Sequence, residues 1–133
     1  MDDAPPDLAS LARRAGDAVS RGDLEAFLEM VDPDVEFTSM IAEMEGETYR
    51  GHDGVRRWWA AVREAFEEGV WDYQDIRGEG ELAVARLRIE GRLRGIEVAQ
   101  TMWQAFRVRD GLALWWGFYR TEEEALEAVG LGG

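Results

Sequence analysis

The sequence of 133 residues has no cysteine and a single histidine, His52. The absence of cysteine excludes disulfide bonds, thiolate metal ligands and a cysteine nucleophile. One histidine is too few for a metal site built from several histidines. We therefore expect neither a metal ion nor any other cofactor.

Long apolar runs and positive charge are also scarce. No apolar run approaches the roughly 20 residues that a membrane-spanning helix needs, and the acidic start, MDDAPPD, lacks the features of a signal peptide. The 28 acidic residues outnumber the 15 basic ones, giving a net charge of −13, which repels phosphate backbones. The sequence predicts a cytoplasmic protein with no membrane partner and no nucleic-acid partner.

No linker or block of like charge divides the chain, so we expect one domain over residues 1–133, with residues 1–6 flexible. Apolar residues at helical spacing predict three N-terminal helices, and a capping box at Thr121 and Glu124 predicts a short C-terminal helix. Between them, alternating segments predict strands that begin with Val35–Met40. Helices followed by consecutive strands indicate an α+β fold with a curved, mainly antiparallel sheet.

The most distinctive stretch is residues 98–120, VAQTMWQAFRVRDGLALWWGFYR. Asp110 and Gly111 stand between two alternating apolar runs, which predicts a tight hairpin of two strands. Side chains alternate between the two faces of a strand, and here both faces are apolar, so each needs a cover. One face carries Met102, Gln104, Phe106, Leu114, Trp116, Phe118 and Arg120, and the other carries Trp103, Ala105, Trp115 and Tyr119.

Four segments, together with the order of elements, resemble a known family. They are GDLEAFLEMVDPDVEF at 22–37, YRGHDGVRRWW at 49–59, RVRDG at 107–111 and YRTEEEALEAVGL at 119–131. The chain resembles the SnoaL-like branch of the nuclear transport factor two-like superfamily, over nearly its whole length. This resemblance implies a cone in which the sheet curls around the three N-terminal helices, a deep apolar pocket, and often a dimer. It does not choose an activity, because this fold hosts isomerases, polyketide cyclases, dehydratases, epoxide hydrolases and proteins without catalysis.

The resemblance also implies which side chains face the pocket, and strand alternation independently places each strand pair on one face. Arg120 is the one cation among these candidates; the alternative for it is a solvated position at the strand end. A filled core is the alternative for the apolar members. Buried polar groups need partners, which favours a cavity. The predicted ligand-binding residues are Ser39, Trp59, Leu87, Ile89, Met102, Gln104, Trp116, Phe118 and Arg120.

Catalytic residues are harder to assign. Ketosteroid isomerase, in the same superfamily, uses a tyrosine, a carboxylate base and a protonated aspartate, and ungapped matching places Ala15, Ser39 and Gln104 at those positions. None of these can perform the corresponding proton chemistry. The remaining candidates for a general base are Glu43, Glu45 and His52. The alternative for the two glutamates is that they are solvated loop residues, and the alternative for His52 is that it is a cap or surface group at the start of a helix.

Three functions remain open from the sequence. The first is the binding of a small, largely apolar, aromatic or polycyclic molecule in the pocket. The second is a cofactor-independent isomerase, cyclase or dehydratase that acts on a hydrophobic carbonyl compound. The third is a structural domain with a filled core. No predicted helix is assigned to the outer face with Trp103, Trp115 and Tyr119, and we therefore expect a homodimer through that face.

Overall fold

A computed structural model describes residues 5–38, 48–93 and 95–130 of the chain. Four helices and six strands are described over these ranges. In chain order they are α1 (Pro6–Arg21), α2 (Leu24–Glu29), β1 (Val31–Thr38), β2 (Thr48–Arg50), α3 (Gly51–Ala65), β3 (Phe66–Glu79), β4 (Leu82–Leu93), β5 (Ile96–Arg109), β6 (Leu112–Tyr119) and α4 (Glu122–Ala128). Within the described residues, no helix has both the length and the apolar composition that spanning a bilayer requires.

The six strands form one open, mixed sheet in the order β2-β1-β6-β5-β4-β3. β1 and β6 are parallel, and every other neighbouring pair is antiparallel. Side chains of α1, α2 and α3 share the main core with one face of this sheet. The predicted α+β fold, with three N-terminal helices on a mainly antiparallel sheet and a short C-terminal helix, is confirmed.

Local sequence explains how the first two helices are joined. Gly22 ends α1 in the left-handed region, with φ of 71°, where the lack of a Cβ removes the steric penalty. The Asp23 carboxylate then accepts a hydrogen bond of 3.1 Å from the Ala26 amide and caps α2. The chain therefore reverses within two residues, and both helices reach the same face of the sheet.

The hairpin of β5 and β6 turns at Asp110 and Gly111, as predicted. Their φ angles are 54° and 77°, and two positive φ values are what a type I′ turn needs. A bulge next to Arg107 then shifts the register, so that Ala113 pairs with Val108. As a result Ala113, rather than the predicted Leu114, packs against the main core.

The first two strands differ from the prediction. β1 begins at Val31 instead of Val35, and β2 lies in a stretch that the sequence indicated to be a loop. The strand β2 has only three residues, but it places Tyr49 opposite Phe37 of β1. Their rings stack with centroids 5.2 Å apart, and such a cross-strand aromatic pair stabilises the pairing of the two strands. The strand β2 itself is too short and polar to show the alternation by which strands are predicted.

The outer face of the sheet is covered in part by α4. Thr121 caps this helix by accepting a hydrogen bond of 3.1 Å from the Glu124 amide. The expectation that no helix covers the outer face was wrong, because the short apolar stripe of α4 packs there. The outer cluster, as we call it, consists of Val84, Trp103, Ala105, Trp115 and Tyr119 from the sheet and Ala125, Leu126 and Val129 from the α4 region.

Candidate functional site

A cavity of about 40 Å³ lies between the N-terminal helices and the inner face of the sheet. A water molecule occupies about 30 Å³ in the liquid, whereas drug-sized ligands occupy pockets of roughly 300–1,000 Å³. The space that the described residues enclose is therefore much smaller than the deep pocket expected from the sequence. Apolar residues of α1 form one wall, and the other walls include Phe27, Trp58, Trp71, Tyr73, Gln104 and Trp116.

Aromatic rings that interlock account for the small volume. The ring of Trp116 stacks on Phe37 with centroids 4.2 Å apart and meets Phe27 edge-on at 5.9 Å. Trp58 lies among these rings and contacts Trp71 at 5.8 Å, also edge-on. Offset and edge-to-face contacts of this kind bury much apolar area and fix each ring by its neighbours. The concavity of the sheet is thus occupied mostly by the protein's own side chains.

The cavity wall contains one buried polar pair. The Tyr73 hydroxyl donates a hydrogen bond of 2.5 Å to Oε1 of Gln104, which is 6% exposed. The two residues belong to β3 and β5, and the bond reaches across β4, where Ala85 pairs with Gln104. Burial raises the pKa of Tyr73 well above its ordinary value, although the bond to Gln104 opposes this. Tyr73 therefore stays protonated at neutral pH.

A close approach of α1 to β3 holds this wall in place. A Cβ at Gly16 would lie 3.0 Å from the Trp71 carbonyl oxygen and 3.0 Å from the Tyr73 ring. The Ser20 hydroxyl donates to the Gly16 carbonyl oxygen at 2.9 Å and accepts from the Trp71 amide at 3.0 Å. Glycine is thus required where the helix touches the strand, and one serine ties the two together.

A second polar group on the wall has no partner. The indole nitrogen Nε1 of Trp58 is buried and makes no hydrogen bond within the part of the chain that the structure describes. Trp58 itself is 1% exposed. Because a buried N–H without an acceptor costs free energy, this donor is an exception that a bound molecule or a water would remove.

The predicted pocket residues divide into two groups. Gln104 and Trp116 line the cavity. The others that the structure describes on this face contribute to the main core away from the cavity lining: Leu87, Ile89 and Trp59 are buried, and Met102 and Phe118 are half-buried against them. The contact of these residues with a ligand remains a prediction.

The predicted polar and catalytic residues do not meet at the cavity. Arg120 is exposed beyond the end of β6. His52 Nε2 lies 2.8 Å from the Val31 carbonyl oxygen, to which it donates, so this side chain connects α3 to β1. Ser39, Glu43 and Glu45 lie outside the described residues. Among the lining residues that the structure describes, none is Asp, Glu, His, Lys or Arg, and none of the described acidic or histidine residues cluster as metal ligands would.

Sequence reasoning missed Tyr73, Trp58 and Trp71 as members of the site. A signal was present for two of them, because Trp71 and Tyr73 alternate with Asp72 and Gln74 along β3 and therefore share the inner face. For Trp58 the helical spacing indicated only a buried position. Its missing hydrogen-bond partner is a property of the packed structure.

Comparison with known proteins agrees with this architecture. The profile of the family described as SnoaL-like domain matches residues 12–116, well over half of the chain. A candidate polyketide cyclase from Sinorhizobium meliloti is 26% identical, with 82% of this chain and 93% of that chain covered and a TM-score of 0.68. No curated protein matches significantly.

Two further solved structures share the fold at lower identity. IdmH, a candidate polyketide cyclase from Streptomyces antibioticus, is 24% identical with a TM-score of 0.70, and 92% of this chain and 97% of that chain are covered. A nuclear transport factor two-like protein of unknown function from Burkholderia pseudomallei is 20% identical with a TM-score of 0.77, and the coverage is 92% and 97%.

Proposed function

Because the chain belongs to the family of SnoaL-like domains, we propose that it binds a small, largely apolar molecule at the cavity between α1, α2, α3 and the inner face of the sheet. The observation that carries this proposal is the buried pair of Tyr73 and Gln104 in an otherwise apolar wall. Apolar residues of similar shape would fill a core at no cost in polar burial. A polar pair at this place is useful for orienting a ligand.

The size of the cavity sets a condition on binding. The cavity of about 40 Å³ has room for a few water molecules but not for a ring compound, which enters only when wall side chains move. Such a ligand selects a less populated open conformation, and its apparent dissociation constant rises by the inverse of that population. We therefore expect weak binding by the native chain and tighter binding by a variant whose cavity is already enlarged.

The change Phe27→Leu tests this expectation. Phe27 lines the cavity and contacts Trp116, so a smaller side chain enlarges the space directly. Phe118→Leu is the matched control, since Phe118 packs against the same core and contacts Trp71 but is not part of the cavity lining. Calorimetric titration with benzene, indole and cyclohexanone measures the affinities.

The two variants are expected to differ. Phe27→Leu tightens the binding of at least one ring compound severalfold relative to the native chain, and Phe118→Leu leaves it unchanged. Equal affinities for all compounds in both variants would place any binding elsewhere. A complete lack of binding by the native chain and by Phe27→Leu would remove the proposed function.

The second candidate is an isomerase, cyclase or dehydratase that acts on a hydrophobic carbonyl compound. The observation in its favour is the 26% identity to the candidate polyketide cyclase from Sinorhizobium meliloti. Tyr73 does not act as the base in such a reaction, because its raised pKa keeps it protonated. The base would then come from outside the cavity lining described above, and Glu43, Glu45 and His52 are the predicted residues.

Replacement of each candidate base by glutamine separates the two functions. Glu43→Gln, Glu45→Gln and His52→Gln are compared for turnover of small ketones, followed as exchange of α-hydrogens for deuterium by NMR. Loss of exchange with unchanged ketone affinity in one variant supports an enzyme. Binding without exchange in the native chain supports a binding module.

A further inference from the structure

The walls of the cavity carry two hydrogen-bond donors without a partner in the described part of the chain. Oε1 of Gln104 accepts from the Tyr73 hydroxyl, and the NH₂ group of Gln104 is the first of these donors. The Trp58 indole is a donor without an acceptor within the described part of the chain. Both side chains line the cavity. An occupant that matches this wall has to bring an acceptor.

The Trp58 indole is also held in a fixed orientation. Its ring meets Phe37 at 5.4 Å and an interplanar angle of 81°, and it meets Trp71 at 5.8 Å and 76°. It contacts Trp116 as well, at 6.3 Å. Turning the indole toward another acceptor would break these edge contacts. The donor is therefore positioned before any ligand arrives, which reduces the entropic cost of binding.

Charge restricts the class of ligand further. The lining residues that the structure describes include no cation, so a carboxylate or phosphate would lose its hydration without a counter-charge. A ligand cation would meet donors that carry partial positive charge at Trp58. A neutral molecule with an accepting oxygen avoids both costs.

We infer that Trp58 is a specificity-determining residue whose indole N–H donates to an oxygen acceptor on a neutral, largely apolar ligand. This inference rests on the proposed binding at the cavity. It assigns a role to a residue on α3 and predicts that the protein distinguishes compounds of equal shape by one acceptor atom. The Trp58 nitrogen is closed to water in this packing, so a ligand reaches it only in the open conformation that binding requires, and a water that enters with that conformation is the competing occupant.

A pair of ligands with matched shape tests the inference. Cyclohexanone and methylenecyclohexane differ in a C=O group against a C=CH₂ group, so the ratio of their dissociation constants isolates the acceptor. The native chain is expected to prefer the ketone by roughly five- to tenfold, the ratio that one neutral hydrogen bond supplies. In Trp58→Phe the ratio falls to about one, even if the enlarged cavity changes both affinities together.

Trp103→Phe is the control variant. Trp103 is half-buried in the outer cluster, on the opposite face of the sheet from the cavity, and we expect it to keep the native ratio. A second measurement uses the native chain alone. The indole ¹H–¹⁵N resonance that is missing in Trp58→Phe should move downfield with cyclohexanone and not with methylenecyclohexane.

The outcomes separate this inference from the proposed function. If both compounds bind the native chain equally, or if the ratio survives in Trp58→Phe, the inference is overturned while binding at the cavity stands. An indole resonance that does not respond to saturating ketone shows that the Trp58 N–H does not meet the ligand and also overturns the inference. If neither compound binds the native chain or Phe27→Leu, the proposed function fails and the inference fails with it.

Discussion

The two faces of the hairpin formed by β5 and β6 are both aromatic, but their covers differ. On the inner face, Phe106 and Trp116 are 5% and 4% exposed beneath the N-terminal helices. On the outer face, Trp103 and Trp115 stay half-buried beneath α4, a helix of seven residues. The number of aromatic residues is similar, and the depth of the second layer is what distinguishes the faces.

This difference separates two uses of aromatic side chains. On the inner face the rings interlock, leave about 40 Å³ between them and hold polar groups at fixed positions, which suits the recognition of a small molecule. On the outer face the rings keep part of their surface in water, which suits contact with a second surface. The experiments below test whether aromatic residues on the two faces contribute differently to stability and to association, as the difference in the helices that cover them predicts.

Removal of one tryptophan from each face should give the largest effect. Trp116→Ala is expected to lower the free energy of unfolding by roughly 3–5 kcal/mol, because it empties a fully covered position. Trp115→Ala should cost about 1–2 kcal/mol, since only part of the ring is removed from water. Urea unfolding of both variants measures the difference. Equal losses would show that α4 covers the outer face as effectively as the three helices cover the inner one.

The next largest effect concerns the stability of the predicted homodimer. It stays a prediction, and light scattering at micromolar concentration tests it. If a second copy covers the outer cluster, Trp103→Lys should weaken the dimer by about 2 kcal/mol or more, as a central aromatic contact does. Thr101→Lys, on the same face of β5 but exposed, is the control. Light scattering that shows a monomer would contradict the predicted dimer, and contact with a second copy would then not account for the half-buried rings.

Loss of the buried polar pair should have an intermediate effect. Gln104→Leu leaves the Tyr73 hydroxyl without its acceptor, at an expected cost of about 1–3 kcal/mol. In the double variant Tyr73→Phe, Gln104→Leu no polar group is stranded, and most of the stability should return. Urea unfolding of the two single variants and the double variant completes the cycle. Strictly additive losses would mean that the hydrogen bond contributes little.

Loosening of α4 should have a smaller effect. Thr121→Ala removes the oxygen that caps the Glu124 amide and should cost about 1 kcal/mol. Hydrogen exchange is expected to rise in α4 and around Trp115, while the amides of α1 stay protected. Thr121→Ser keeps the cap and serves as the control. Faster exchange throughout the chain would show that the outer cover is not an independent layer.

The smallest effect is expected at Glu81, where Arg107 and Arg109 converge. Its hydrogen bonds to Arg109 and then Arg107 hold the pKa of Glu81 below its ordinary value of 4.5. A lowered pKa in the folded state adds stability above pH 4.5, and this stability is lost as the pH falls through the folded value. Glu81→Gln should therefore slightly reduce the loss of unfolding free energy that the native chain shows as the pH is lowered below 4.5, as measured by urea unfolding at several pH values. Glu79→Gln, at an exposed neighbouring position, should leave this loss unchanged.

Much of the fold follows from short-range signals in the sequence. Asp110 and Gly111 supply the positive φ values of the turn, Asp23 and Thr121 supply helix caps, and apolar spacing supplies the helices. These features act over a few residues, so the sequence determines them almost alone. The three residues of β2 gave no such signal, because a strand this short and polar shows no alternation of apolar and polar residues.

The site was less accessible to sequence reasoning. Alternation placed Gln104 and Trp116 on the inner face, and the structure brings both to the cavity. The volume of the cavity and the unpaired Trp58 nitrogen depend on how rings from five elements pack together, and no local pattern carries that information. The bulge beside Arg107 changed the facing of Leu114 for the same reason.

The parallel pairing of β1 with β6 bears on how the chain folds. The Ala113 amide donates to the Met30 carbonyl oxygen at 2.8 Å, and apart from the three-residue β2 the first strand pairs only with the last one described. A pairing across such a long loop carries a large closure entropy and slows folding. We expect the antiparallel meander β3-β4-β5-β6 to assemble first. The strands β1 and β2 would then join last, and with them the ring of Phe37 that closes the aromatic wall.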